Sequence, residues 1–381
     1  MARTPLRPDD PTRIGHYRLT ARLGSGGMGV VYLGISWDGA PVAVKVLRPD
    51  LAGDQEFRHR FGREVAALVR VKGVCTVRVI EADSQSSTPF VVTEYAPGPS
   101  LSEYIDKHGS VGPEMLFGLA TGLAEALTTI HAAGIMHRDL KPSNIILTDA
   151  GPKVIDFGIA RRQDTRGVTK TGMMIGSLGF MAPEQISGRP GPEADIFAWG
   201  VTVAYAATGR SPFGAGNSHS ILYRVMYGDP DIASVPDSLL PLVEASLAKE
   251  PQSRPTAQQL LDRLTSSSRR PGNANDRATT QVILARTWQS GSHPGVPPAG
   301  RPAAPSAAAP AATEAPTTDQ PAPVLPRVAA PSAPAPAAPA PAVAAPVSKK
   351  VPMGRRMATI ATSALAAMRL RRPSRREEPK R

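Results

Sequence analysis

The run His137, Arg138, Asp139, Leu140, Lys141, Pro142, Ser143, Asn144 sets an acid, a cation and an amide at offsets that phosphoryl transfer can use. Asp139 can accept or orient the proton of an attacking hydroxyl, Lys141 can offset charge on the transferred group, and Asn144 can hold a metal ion. A His-Arg-Asp tripeptide alone is weak evidence. Twelve residues after Asn144, however, Asp156-Phe157-Gly158 follows the apolar pair Val154-Ile155, and Ala182-Pro183-Glu184 comes later. Upstream, the run Leu23, Gly24, Ser25, Gly26, Gly27, Met28, Gly29, Val30, Val31 has glycines at G-x-G-x-x-G spacing, and Val42-Ala43-Val44-Lys45 comes next. Such glycines let a backbone approach phosphate oxygens. The spacing alone would also suit a dinucleotide-binding turn, but that motif opens a helix, and here a β-type run from Val30 to Leu33 follows.

In this order the signatures resemble the protein-kinase set. The chain is similar to bacterial eukaryotic-like (Hanks-type) serine/threonine protein kinases of the actinobacterial type, from about Tyr17 to about Leu264. The resemblance implies an α+β, two-lobed protein-kinase fold with ATP in the cleft and Mg2+, or alternatively Mn2+, beside it. It assigns Asp139 as catalytic base or hydroxyl-orienting group and Lys141 as the charge stabiliser typical of serine/threonine kinases. Lys45 would bind the α- and β-phosphates, with Glu64 as its ion-pair partner, and Asn144 and Asp156 would ligate the metal. Residues 23–31, Ala43, Lys45, Thr93, Glu94 and Ala96 would surround the nucleotide, with Leu23, Val31 and Ala43 walling the adenine and Thr93 guarding the back of the pocket. His137 would pack beneath the metal-binding turn, and Arg138 would meet a phosphorylated activation segment whose preferred sites are Thr169 and Thr171. Ser177 stands where threonine is more usual, and Ala198 replaces a common serine. The implied activity is that of a non-specific serine/threonine protein kinase, autophosphorylating included, with a signalling role. Its implied partners are protein substrates, a second copy acting in trans through a transient homodimer, and a serine/threonine phosphatase.

Several elements must position these groups. Residues 17–23, 30–35 and 42–47 read as three strands, with 77–82 and 90–95 as two more. Phe57, Phe61, Val65 and Leu68 recur at helical spacing, so residues 56–69 form a helix with one apolar face carrying Glu64. Leu116, Leu119, Leu123, Leu127 and Ile130 stripe a long helix closed by Gly134. Asp195 opens the run Asp-Ile-Phe-Ala-Trp-Gly of a buried helix. Arg254 is expected to pair with Glu184, and Thr256 with Gln259 to form a capping box on a last helix, 257–264.

Composition divides the 381 residues. The net charge of +12 lies wholly beyond residue 268, where 17 Lys and Arg face 5 Asp and Glu, and nearly half of the 40 prolines follow His293. The expected organisation is an N-terminal extension (1–16), a catalytic domain (17–265; small lobe 17–95, large lobe 99–265), an Ala/Pro-rich disordered linker (266–348) and a basic tail (349–381). Met357, Ile360, Ala361, Ala364, Leu365 and Met368 can line one face of a short amphipathic helix in that tail. Its composition suits contact with anionic membrane, nucleic acid or an acidic partner; a solvated tail is the alternative. The single cysteine, Cys75, excludes an internal disulfide, and its Val74 and Val77 neighbours suit a buried structural residue. No secretory signal or spanning segment of ~20 apolar residues is read, so the expected location is cytoplasmic, with peripheral membrane association through the tail as a variant.

Overall fold

A computed structural model describes residues 3–49, 53–157, 175–188, 190–266 and 276–288. Thr169 and Thr171, the Ala/Pro-rich stretch and the basic tail lie outside the described residues.

Alternating, β-branched-rich segments build one antiparallel sheet of the small lobe from β1 (Arg13–Ile14), β2 (Tyr17–Gly26), β3 (Gly29–Ile35), β4 (Pro41–Leu47), β5 (Val79–Asp83) and β6 (Phe90–Glu94). The strand order is β1-β2-β3-β4-β6-β5. Helix α1 (Gln55–Leu68) starts where the Asp54 carboxylate accepts the Phe57 amide, and it buries Phe57, Phe61, Val65 and Leu68 against Leu47, Val79, Val91 and Phe157. Strand alternation puts Leu23, Val31 and Ala43 on the cleft side. On the opposite side Tyr17, Tyr32, Val42, Val44 and Val92 form a second cluster.

The large lobe follows with α2 (Leu101–His108), α3 (Pro113–Ala132), the hairpin β7 (Ile145–Thr148) and β8 (Gly151–Val154), then α4 (Pro183–Ser187), α5 (Glu193–Thr208), α6 (Ser218–Tyr227), α7 (Leu240–Ser246) and α8 (Ala257–Thr265). Its core lies between α3 and α5, where Leu119, Leu123, Phe197 and Trp199 are fully buried and the Trp199 indole donates to Ala120 O at 3.0 Å. Among the described residues α3 is the one helix long and apolar enough to cross a membrane, and most of it is buried in this core. The Thr256–Gln259 capping box is present on α8. Cys75 is buried, and burial pushes its thiol well up, as suits a structural residue.

Two segments outside the expected catalytic bounds take part in the fold. Residues before Tyr17 are built into the sheet: β1 pairs with β2, and Thr4 bridges to Arg22. Beyond residue 265, α9 (Asp276–Thr287) packs on α3 and α8 instead of belonging to a linker. Thr279, Thr280, Ile283, Leu284 and Trp288 are its buried face, and the Trp288 indole donates to Thr148 O at 2.7 Å. Threonines interleaved with the apolar positions weakened the hydrophobic pattern that would have revealed it.

Candidate active site

The segment between α3 and β7 carries the acid, the lysine and the amide. The buried Asp195 carboxylate at the start of α5 accepts the backbone N–H groups of His137 and Arg138, both at 2.7 Å, and His131 Nε2 at 2.9 Å. Arg138 has a φ of 63°, a left-handed conformation uncommon for a residue with a side chain, and those paired amides hold it there. His137 donates from Nε2 to Ile155 O at 3.0 Å and accepts the Asp139 amide on Nδ1 at 3.3 Å. Both ring nitrogens are thus engaged in the neutral form, and full burial pulls its pKa down. The ring also meets Phe157 edge-on at 5.8 Å. It is a packing and hydrogen-bonding residue rather than a proton carrier.

Asp139 and Lys141 form an ion pair at 3.0 Å. Asn144 Nδ2 donates to the Asp139 carbonyl at 2.8 Å and to its carboxylate at 3.3 Å, which commits the amide nitrogen and leaves its oxygen as a donor atom for a cation. The β7–β8 hairpin brings Asp156 to the same place: Ile155 N donates to Asn144 O at 2.9 Å, while Val154 exchanges backbone hydrogen bonds with Cys75 and Val77. Glu125 of α3 anchors that 74–77 segment by accepting the Val74 and Cys75 amides, each at 2.9 Å. Asp156 also adopts a left-handed φ, 56°. A carboxylate and an amide oxygen are hard donors of the kind Mg2+ prefers, too few to complete its shell without water or phosphate oxygens.

Above this floor, the cleft is lined by Leu23, Val31, Ala43, Lys45, Thr93, Glu94 and Ala96, all singled out in the sequence. Val79, Val91, Tyr95, Ile146, Ile155 and Phe157 complete it. Val30 alternates to the other face of the sheet, against the cluster of Tyr32 and Val44, and Met28 packs toward Leu47 and Phe57. The glycines divide by function. A Cβ on Gly29 would lie 1.9 Å from Val46 O, so glycine is required there by packing, whereas a Cβ on Gly24, Gly26 or Gly27 would meet nothing within 4 Å. The space over the first two glycines of the motif is therefore open to a ligand such as a phosphate.

The expected pairing of Lys45 with Glu64 is absent. Lys45 Nζ instead binds Asp156 at 3.0 Å, and Glu64 receives Arg138 Nη1 at 3.2 Å. The other Glu64 oxygen, Oε2, is buried with no hydrogen-bond partner among the described residues, and burial raises the carboxyl pKa despite the neighbouring arginine. Deeper in the large lobe, Arg254 meets Glu184 through two hydrogen bonds of 2.6 and 3.0 Å, as expected. Its remaining donors reach Ala248 O, Lys249 O and Glu193 O, and its guanidinium lies over the Phe197 ring.

Asp195, Glu125 and Ile146 were not assigned site roles from the sequence, whereas Tyr95 belongs to the run Glu94-Tyr95-Ala96-Pro97-Gly98 that resembles the kinase hinge and does line the cleft. A first-turn carboxylate followed directly by an unbroken apolar run was the available signal for Asp195. Ile146 carries no distinctive chemistry and enters the cleft through topology alone.

Comparison with known proteins bears on the family and the fold. Residues 17–264 match the protein kinase domain family. The chain is 48% identical over 262 residues to the probable serine/threonine-protein kinase PkwA of Thermomonospora curvata, covering 68% of this chain and 35% of that protein. It is 42% identical over 257 residues to the serine/threonine-protein kinase AfsK of Streptomyces coelicolor, covering 67% and 32%. The chain thus spans about a third of the length of these curated relatives. The crystal structure of the Mycobacterium tuberculosis PknI kinase domain superposes with a TM-score of 0.53 at 24% identity, covering 67% of this chain and 96% of that one, a likeness of fold. By the family match, the similarity to bacterial serine/threonine kinases and the two-lobed architecture, the chain belongs to the protein kinase domain family.

Proposed function

We propose that the chain transfers the γ-phosphoryl group of ATP to serine and threonine hydroxyls of proteins, its own activation segment included. The observation that carries this reading is the convergence of Asp139, Lys141, Asn144, Asp156 and Lys45 at one end of an apolar cleft. Leu23, Val31, Ala43 and Ile146 offer apolar faces to a flat base, with Thr93, Glu94 and Ala96 along its edge. Asn144 and Asp156 would hold Mg2+, with Mn2+ as a substitute, and the ion would neutralise charge on the phosphates. Asp139 orients the acceptor hydroxyl and takes up its proton, while Lys141, 3.0 Å from that carboxylate, offsets charge on the phosphoryl oxygens.

Lys45 and Asp156 neutralise each other across 3.0 Å. Nucleotide phosphates would compete for the lysine and a cation for the aspartate, so binding both removes the reason for the pair. Glu64, with one oxygen unpartnered, is the carboxylate to which Lys45 then turns, and Arg138 is released toward the activation segment, where Thr169 and Thr171 are the proposed phosphate acceptors. Protein substrates, a second copy acting in trans and a phosphatase that reverses the modification are the partners this chemistry implies. A membrane or nucleic-acid contact through the basic tail is a separate, compositional proposal.

The test is transfer of label from γ-labelled ATP with Mg2+ to a protein substrate, followed by phosphoamino-acid analysis, with Asp139→Asn beside the intact chain. Label on serine or threonine from the intact chain alone is expected. Label on tyrosine, or equal labelling by both, would overturn the reading.

A further inference from the structure

The ten or so residues before the family match contact both walls of the nucleotide cleft. At one end, Arg3 Nη2 donates to the Tyr95 hydroxyl at 3.1 Å, and the guanidinium lies 5.3 Å from the Tyr95 ring centroid. Tyr95 lines the cleft at the connection between the lobes. One residue later, Thr4 exchanges two backbone hydrogen bonds with Arg22, at 3.0 and 2.8 Å, and Arg22 immediately precedes Leu23 in the cleft roof.

The middle of the segment is pinned to the same strand. The Asp10 carboxylate, whose side chain is 2% exposed, accepts Arg22 Nε and Nη2, both at 2.5 Å. It also accepts the Tyr32 hydroxyl and the Arg7 amide, both at 2.7 Å. Leu6 packs on the cluster of Tyr17, Leu19 and Tyr32, Thr12 O accepts the Leu19 amide at 2.9 Å, and β1 finishes the attachment. An unanchored terminal segment would be expected to fray; this one has a buried carboxylate with four donors and a sheet edge holding it.

We propose that residues 3–14 are a strap that fixes the distance between the roof of the cleft at Leu23 and its hinge at Tyr95, so that Arg3 and Asp10 are positioning residues for nucleotide binding. The inference rests on the cleft being the ATP site. Neither residue touches the reacting groups; each acts through a neighbour, Arg3 through Tyr95 and Asp10 through Arg22. Loosening the strap widens the range of roof-to-hinge distances and weakens the grip on the base more than it slows transfer once the nucleotide is bound.

The experiment uses the full chain and titrates Mg-ATP binding alongside KM for ATP and kcat. Arg3 is exposed, so Arg3→Ala is expected to leave the melting temperature in place while weakening Mg-ATP affinity about threefold to tenfold, with KM moving more than kcat. Tyr95→Phe, which removes the hydroxyl acceptor, should make the Arg3 substitution less damaging in the double variant than in the single one. Asp10→Asn, which keeps shape and loses charge, should move KM in the same direction. Unchanged affinity in Arg3→Ala, or a fall in kcat alone, would overturn the strap while leaving the kinase reading intact. A wild-type chain that binds no nucleotide would overturn the reading beneath it and the strap with it.

Discussion

Around the segment that carries Asp139, Asp195 accepts three hydrogen bonds and both Glu184 carboxylate oxygens accept from Arg254. Across the cleft, Glu64 leaves one buried oxygen without a partner among the described residues, and Lys45 rests on a carboxylate proposed for a metal. The contrast separates a preorganised half from a rearranging half. Buried charges with complete partners cost too much to disturb, so they fix geometry; incompletely satisfied ones sit in shallow minima and can exchange partners. On the proposed reading, such a site keeps the acceptor-handling groups ready and leaves the phosphate-handling groups to respond to the nucleotide.

The largest effect should come from breaking the rigid half. Arg254→Ala strands the Glu184 carboxylate inside the large lobe and should lower stability by about 3–5 kcal/mol, read by urea unfolding. Asp195→Asn comes next. An amide turned toward two backbone N–H groups leaves one unpaired, at roughly 1–3 kcal/mol, and a shift of the catalytic segment by ~1 Å should reduce kcat about 10²-fold.

The rearranging half should show the opposite balance. Glu64→Gln is expected to reduce transfer at least about tenfold, because Lys45 loses its proposed active-state partner, yet to unfold no earlier than the wild type at pH 7. The sign follows from the raised Glu64 carboxyl: its contribution to stability is fully present below the unfolded value near pH ~4.3 and is lost as pH rises through the folded value. The glutamine variant escapes that loss, so any advantage it has at pH 7 should vanish on acidification, as pH-dependent unfolding curves would show. The smallest structural effect belongs to Gly26→Ala, which has open space for its methyl group and should melt near the wild type while raising KM for ATP; Gly29→Ala, facing Val46 O, should lower the melting temperature.

Much of this was legible in the sequence, for definite reasons. Lys45, Asp139, Asn144 and Asp156 could be named because the motifs that resemble the kinase set place those side chains at fixed offsets, and the structure brings them together at one end of the cleft. The sheet and α1 follow from alternation and from the Phe57–Leu68 periodicity. The Glu184–Arg254 pair could be anticipated through the resemblance to the kinase family, from the Ala-Pro-Glu motif and the Ser-Arg-Pro turn. What stayed hidden depends on conformation or on weak patterns. No sequence feature distinguishes a Glu64 that meets Lys45 from one that meets Arg138, since both cations are within reach of the same helix. Asp10, lying among exposed charges near the N-terminus, reads as solvated until Arg22 and Tyr32 are seen to enclose it. Helix α9 hides its buried face among threonines.

The most direct test is a crystal structure of the chain with Mg2+ and a non-hydrolysable ATP analogue, compared at two places. The account predicts that Lys45 leaves Asp156 for the phosphates and Glu64, that Asp156 and Asn144 take the metal, and that the Asp195 and Glu184 contacts are unchanged. Lys45 still on Asp156 beside a bound nucleotide, or Asp195 contacts that move as far as those of Glu64, would contradict the division of the site into a fixed half and a rearranging one.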